Sequence, residues 1–144
     1  TTRMPYMEAV YDVLEKNHGK VIYFDFWARW CPPCLTEMEP LKQLRSKFST
    51  NDLIIYSICV SEPKEQWEEC LNEYSLKNCG IECVHVTDYL GIDNYQKIRK
   101  QWKIDRIPYY ILINRKGQII DFGATARPSN PQLVSRIEDA VNSK

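Results

Sequence analysis

No stretch of this sequence approaches the ~20 consecutive apolar residues of a membrane-spanning helix, so direct insertion into a bilayer is not expected. Net charge is missing too. Nineteen lysines and arginines balance nineteen aspartates and glutamates, which leaves no overall field to draw nucleic acid or an anionic membrane surface. The start, Thr1-Thr2-Arg3-Met4-Pro5, lacks the pattern of a signal peptide. It also fits the cut edge of a longer precursor, so it does not fix the compartment. Repeats, linkers and low-complexity segments are absent. The 144 residues therefore read as one domain, 1–144. Folding at this size buries roughly 70% of the unfolded chain's surface, enough for a core without metal or disulfide staples.

What the chain does have is cysteine. Cys31, Cys34, Cys59, Cys70, Cys79 and Cys83 are many for a cytosolic protein and too few for a disulfide-built miniature. Their even number favours an oxidising compartment.

Helical and strand patterns alternate along the chain. Met4, Met7, Val10, Tyr11 and Leu14 recur at helical spacing and predict a helix over 4–16, ended by Asn17-His18-Gly19. Residues 20–27 predict a strand that is apolar on both faces. Pro32 and Pro33 suit the first turn of a helix, which runs to about Phe48 with a bend at Pro40. Leu53 to Val60 is a second buried strand. Ser61 caps a helix that carries Trp67, Cys70, Leu71 and Tyr74 on one face. A short strand near Cys83–Val86 and a helix over 92–102 follow. Tyr109 to Asn114 and Gln118 to Phe122 form a hairpin around Arg115-Lys116-Gly117. Asn130-Pro131 opens a last helix to about Val141. The fold class is α/β with a central mixed sheet flanked by helices.

The chemistry concentrates at Trp30-Cys31-Pro32-Pro33-Cys34. Six cysteines in 144 residues give roughly 0.24 chance pairs at this spacing, so C-x-x-C alone is weak evidence. Its place is what matters. A strand delivers Cys31 to a helix N-terminus, where the macrodipole and free N–H groups favour the thiolate. Cys34 lies one turn inward and can attack a mixed disulfide formed at Cys31. Half a zinc site, or two buried thiols, is the competing reading. Asp25 stands inside the apolar strand, where desolvation raises its pKa, and can accept the proton of Cys34; a purely structural carboxylate is the alternative. Glu37, three residues past Cys34, lies on the same helical side and either tunes the thiols or is a solvated charge. Because Pro32 and Pro33 carry no N–H, mainly the Cys34 amide can stabilise a Cys31 thiolate. The expected couple is therefore reducing. Ile107-Pro108 precedes a strand, and its bland reading is strand punctuation.

Phe24-Asp25-Phe26-Trp27-Ala28-Arg29-Trp30-Cys31-Pro32-Pro33-Cys34 resembles the active-site segment of thioredoxins almost residue for residue. Ile107-Pro108 resembles the family's cis-proline loop, and Gly123-Ala124 its second groove-lining segment. The likeness spans residues 20 to 142. Some thirty extra residues, about 61–90, resemble the helix–strand insertion of the TlpA-like branch, which contains bacterial envelope thiol–disulfide oxidoreductases. Glu37 and Ala126-Arg127-Pro128-Ser129 fit that branch. The opening helix, in residues 1–19, departs from its usual β-hairpin, and Pro40 falls one position after its usual kinking proline.

The resemblance implies that Cys31 is the nucleophile, Cys34 the resolving thiol and Asp25 the buried proton acceptor. It makes Pro108 cis. It assigns Trp30, Pro32, Pro33, Ile107, Pro108 and Gly123 to the binding of an extended, disulfide-containing protein substrate. No cofactor beyond the Cys31–Cys34 couple is implied. A separate thiol protein supplies electrons, and a monomer in the bacterial periplasm or cell envelope is expected. The Pro-Pro pair also resembles tryparedoxins and nucleoredoxins, which keeps a cytoplasmic reductase open. A thiol peroxidase wants threonine three residues before its cysteine, where Ala28 stands. A redox-silent binding domain is the remaining alternative.

Among the other cysteines, Cys59 reads as an inert core residue. Cys70, Cys79 and Cys83 bracket the insertion, either with a structural disulfide among them or as reduced thiols. Cys79-x-x-x-Cys83-x-His85 lacks an evident fourth metal ligand, so no metal site is expected. His18 reads as solvated, and Trp67 and Trp102 as core.

Overall fold

Every residue of β1 (Val21–Trp27) is buried, because the strand lies at the middle of a five-stranded sheet covered on both faces. The structure is a computed structural model and describes residues 3–61 and 63–143. The outermost residues of the expected 1–144 domain, and Glu62 in the expected insertion, lie outside that range.

A short 3-10 turn at Pro5–Met7 leads into α1 (Glu8–Lys16). Asn17 closes α1, its side-chain amide donating to the Val13 carbonyl at 2.9 Å. After β1 come α2 (Pro32–Thr36), α3 (Met38–Ser46) and β2 (Leu53–Cys59). Then follow α4 (Lys64–Glu73), β3 (Glu82–His85), α5 (Val86–Tyr89) and α6 (Ile92–Gln101). The hairpin β4 (Tyr109–Ile113) and β5 (Ile119–Gly123) precedes α7 (Pro131–Asn142). The Asn130 side chain caps α7 by accepting from the Gln132 N–H at 3.0 Å.

The sheet order is β3-β2-β1-β4-β5. The pairs β1–β2 and β2–β3 are parallel, β1–β4 and β4–β5 antiparallel. This is the mixed sheet expected from the sequence. Alternation along β1 divides the core. Val21, Tyr23 and Trp27 pack with Met38, Leu41, Leu44, Leu133 and Ile137 of α3 and α7. Ile22, Phe24 and Phe26 face the other way, against Val10, Val13, Tyr95 and Ile98 of α1 and α6. Trp102, half-buried, lies tilted against Phe24 with ring centroids 6.0 Å apart. Among the described residues, no helix is long and apolar enough to cross a membrane.

Three local expectations are corrected. The helix predicted from Pro32 to Phe48 is two helices that meet at Glu37 (φ −86°, ψ 0°). Pro40 has no N–H for the Thr36 carbonyl, and the ladder opens one turn upstream instead of bending at the proline. Ser61 does not cap α4: the residue before that helix is Pro63, with no side-chain cap. The Ser61 hydroxyl instead accepts the Arg29 N–H at 3.1 Å. The one-turn helix α5 after β3 was not expected.

Candidate active site

Tight burial ends at Ala28, and the chain turns outward through Arg29 and Trp30, the latter 70% exposed. Cys31 then takes an extended conformation (φ −109°, ψ 95°) as the residue before α2, with Pro32 and Pro33 in the first turn. Neither proline has an N–H. The Cys34 N–H is the backbone donor that reaches the Cys31 sulfur, at 3.3 Å. Cys31 and Cys34 are joined by a disulfide, with Cα atoms 5.3 Å apart. Both are largely covered, at 5% and 2% exposure, while Trp30, Pro32 and Pro33 around them are exposed.

Asp25 is 3% exposed on the face of β1 that carries Tyr23 and Trp27. Desolvation pushes its pKa from 3.8 up to about 7. The Ser57 hydroxyl on β2 donates to Oδ2 at 3.2 Å and opposes that rise, whereas the charge of Glu37 adds to it. Glu37 is not a solvated charge. It is 9% exposed, with Oε1 accepting the Ser129 N–H at 2.9 Å and Oε2 the Ser129 hydroxyl at 2.7 Å. These bonds tie the α2–α3 junction to the loop before α7.

Two tyrosines complete this interior. Tyr110 is the antiparallel register partner of Asp25, and its ring stacks on Tyr23 with centroids 5.8 Å apart. The Tyr23 hydroxyl donates to the Ala126 carbonyl at 2.6 Å. The buried Tyr110 hydroxyl has no hydrogen-bond partner among the described residues. Burial, then the charge of Asp25, raise its pKa well above the ordinary value. An unpartnered buried hydroxyl costs about 1–3 kcal/mol. Tyr110→Phe is therefore expected to raise stability by about 1 kcal/mol, read as a higher denaturant midpoint at unchanged slope.

The turn before Cys31 has a second support. His85, fully buried at the end of β3, accepts the Thr87 N–H at Nδ1 (3.2 Å). Its Nε2–H therefore donates to the Ser61 carbonyl at 2.6 Å, while the Ser61 hydroxyl holds Arg29. Both ring nitrogens are thus engaged. Among the described residues, no cluster of three His, Cys, Asp or Glu side chains stands ready to hold a metal ion.

Trp30 and Ile107 line one groove of about 380 Å³, together with Val60, Tyr95, Arg99 and Ile104. The Ile107–Pro108 peptide is cis. Gly123 ends β5 at φ 100°, a conformation that favours glycine, and pairs with Tyr110. The sequence singled out neither Tyr23, Tyr110 nor Ser61 for the site, and considered His85 only as a metal ligand. Tyr23 and Tyr110 were polar groups inside apolar strands, and the Tyr23 partner, Ala126, and the Ser61 partners, Arg29 and His85, are distant in sequence.

Comparisons with known proteins agree with this geometry. The family model described as Redoxin matches residues 6–141. The chain is 26% identical over 108 residues to the thiol-disulfide oxidoreductase ResA of Bacillus thuringiensis (strain Al Hakam). That match covers 75% of this chain and 57% of the relative, so the chain spans little more than half of that relative's length. A solution structure from Bacteroides vulgatus, described as a candidate thiol-disulfide oxidoreductase, is 34% identical with a TM-score of 0.68. It covers 88% of this chain and 76% of its own. The thioredoxin domain of another Bacteroides vulgatus thiol-disulfide oxidoreductase superposes with a TM-score of 0.74 at 23% identity, over 90% of this chain and 84% of that one, and shares the fold. The matched span holds β1, the Cys31–Cys34 turn and the cis-proline, and the chain belongs to the Redoxin family, as a TlpA/ResA-like protein of the thioredoxin superfamily.

Proposed function

We propose that the chain is a protein thiol–disulfide oxidoreductase that works through the Cys31–Cys34 couple. The observation that carries the reading is the disulfide itself: it closes at a strand-to-helix junction on the same core that holds the buried Asp25. In the reduced state, the Cys31 thiolate attacks one sulfur of a substrate disulfide. A mixed disulfide forms, and the first substrate thiolate leaves and takes a proton. Asp25 removes the proton of Cys34, directly or through water. Cys34 then attacks the Cys31 sulfur and expels the second substrate thiolate. Two electrons have passed to the substrate, and the chain is left with its own disulfide. An upstream dithiol protein restores it, and no further cofactor takes part.

The groove lined by Trp30 and Ile107 would receive an extended substrate segment, and the resemblance to thioredoxins adds Pro32, Pro33, Pro108 and Gly123 as further substrate contacts outside that lining. The resemblance to the TlpA-like branch supports a place in the cell envelope, and the activity its relatives are named for, thiol–disulfide oxidoreduction, supports disulfides of proteins as substrates. A monomer satisfies this scheme, since both thiols come from one chain. Ala28, three residues before Cys31, disfavours peroxide chemistry.

The Pro-Pro turn gives the couple a direction. With the Cys34 amide as the backbone donor to Cys31, a thiolate there is less stabilised than at a turn with several N–H groups, and its disulfide is harder to reduce. Titration in glutathione or dithiothreitol buffers, read by Trp30 fluorescence, is expected to give a potential below roughly −230 mV. A potential above about −180 mV would make the couple an oxidant or isomerase and overturn the Pro-Pro reading. A pair that does not titrate reversibly would remove the function itself.

A further inference from the structure

Cys79 and Cys83 stand outside the chemistry above, yet their sulfurs converge. The Cys79 thiol donates to the Leu76 carbonyl at 3.1 Å and the Cys83 thiol to the same oxygen at 3.6 Å. Both residues are half-buried, unlike Cys59 and Cys70, which are 0% and 1% exposed. Two sulfurs held on one oxygen are near neighbours, and a change of χ1 rotamer moves a sulfur by ångströms.

The surroundings make the two unequal. Cys79 lies in the turn between α4 and β3, whose backbone takes positive φ at Asn78 (62°) and Gly80 (87°). The stem of Arg45 lies against Gly80: a Cβ there would meet Arg45 Cδ at 3.4 Å. The Arg45 guanidinium is lowered in pKa by burial and drawn back up by the charge of Cys79. The guanidinium itself donates to the Leu53 and Phe48 carbonyls, so its stem, rather than its charged end, lines the turn that carries Cys79. Cys83 sits within β3 in the row Cys83–Ser57–Asp25 across the sheet. Burial, then Cys79, push its thiol up to about 12.

We propose that Cys79 and Cys83 form a second dithiol–disulfide site, in which Cys79 is the reacting thiol and Cys83 closes the ring. A disulfide of low molecular weight or on a protein is the oxidant. The Cys79 thiolate attacks one of its sulfurs and expels a thiolate, which takes up a proton. Cys83 gives up its proton to solvent and attacks the Cys79 sulfur, and the second thiol leaves. Two electrons and two protons pass to the oxidant, and one intramolecular bond remains.

The test uses the full chain carrying Cys31→Ser and Cys34→Ser, so that its outcome is separate from that of the first couple. The reduced protein is incubated with glutathione disulfide, unfolded, alkylated and digested. Two of the four remaining thiols are expected to escape alkylation, and the peptides bearing Cys79 and Cys83 are expected to be linked. The unmutated chain under the same conditions should lose four thiols, which guards against misfolding of the variant. Adding Cys79→Ser should leave Cys83 fully alkylated. Four alkylated thiols in the double variant, a stable glutathione adduct on Cys79, or a link through Cys59 or Cys70 would each overturn the proposal.

Discussion

Cys34→Ser is expected to turn the chain into a trap. On the proposed mechanism Cys31 still attacks a substrate disulfide, but the thiol that expels the product is gone, so the mixed disulfide should persist until an external thiol cleaves it. Turnover in a disulfide-reduction assay is expected to fall to background. Non-reducing electrophoresis should show the partner bound, and the band should vanish on adding dithiothreitol. Cys31→Ser is expected to lose the same activity for the opposite reason. The thiol that remains, Cys34, is 2% exposed inside the helix, so no adduct should accumulate. The contrast separates the roles because the two positions differ in place. Cys31 precedes α2 in extended backbone, whereas Cys34 lies inside the helix and directs its N–H at the Cys31 sulfur. Equal trapping by both variants would reverse or dissolve this assignment.

Asp25→Asn is expected to slow catalysis and stabilise the fold, with both effects set by pH. In the folded chain Asp25 titrates near 7, against an ordinary 3.8. Below 3.8 both states carry the proton, and the residue has no effect on stability. Between 3.8 and 7 the folded state holds a proton that the unfolded state has released, so stability falls as pH rises. Above 7 the loss is complete, on the order of 4 kcal/mol for a shift of roughly 3 units. Asparagine carries no charge and keeps an acceptor for the Ser57 hydroxyl. Urea unfolding of the oxidised proteins should give equal stabilities below pH 4 and an asparagine variant several kcal/mol more stable at pH 8. A gap that stays constant with pH would mean that Asp25 is not desolvated as the fold places it. The step in which Cys34 attacks should slow by about 10²-fold or more, and its rise in wild type through pH 7 should disappear from the variant.

The groups in these experiments were legible in the sequence to different depths. Val21 to Trp27 announced a strand buried on both faces, Pro32 and Pro33 a helix start, and Asn130-Pro131 another. Cys31 and Cys34 declared a ring. Each of these signals acts within about one turn or one strand, where steric fit and backbone hydrogen bonding dominate. Asp25 was legible for the same reason, as a carboxylate in an apolar run. Its partners were not.

Tertiary structure alone decided what surrounds that core. Glu37 is held by Ser129, 92 residues away, and a charge on a helix face does not say which loop will cover it. The row Cys83–Ser57–Asp25–Tyr110 comes from the register of four strands, and a shift of one residue would turn each side chain to the other face. Ser61 left the expected cap for Arg29 and His85, because its hydroxyl and carbonyl lie where β2 and β3 end together. Cys79 and Cys83 meet at one carbonyl because the chain turns back after α4. Local chemistry fixed the Cys31–Cys34 pair. Long-range packing fixed the environment of Asp25, since desolvation and charge depend on which distant segments exclude water from a residue.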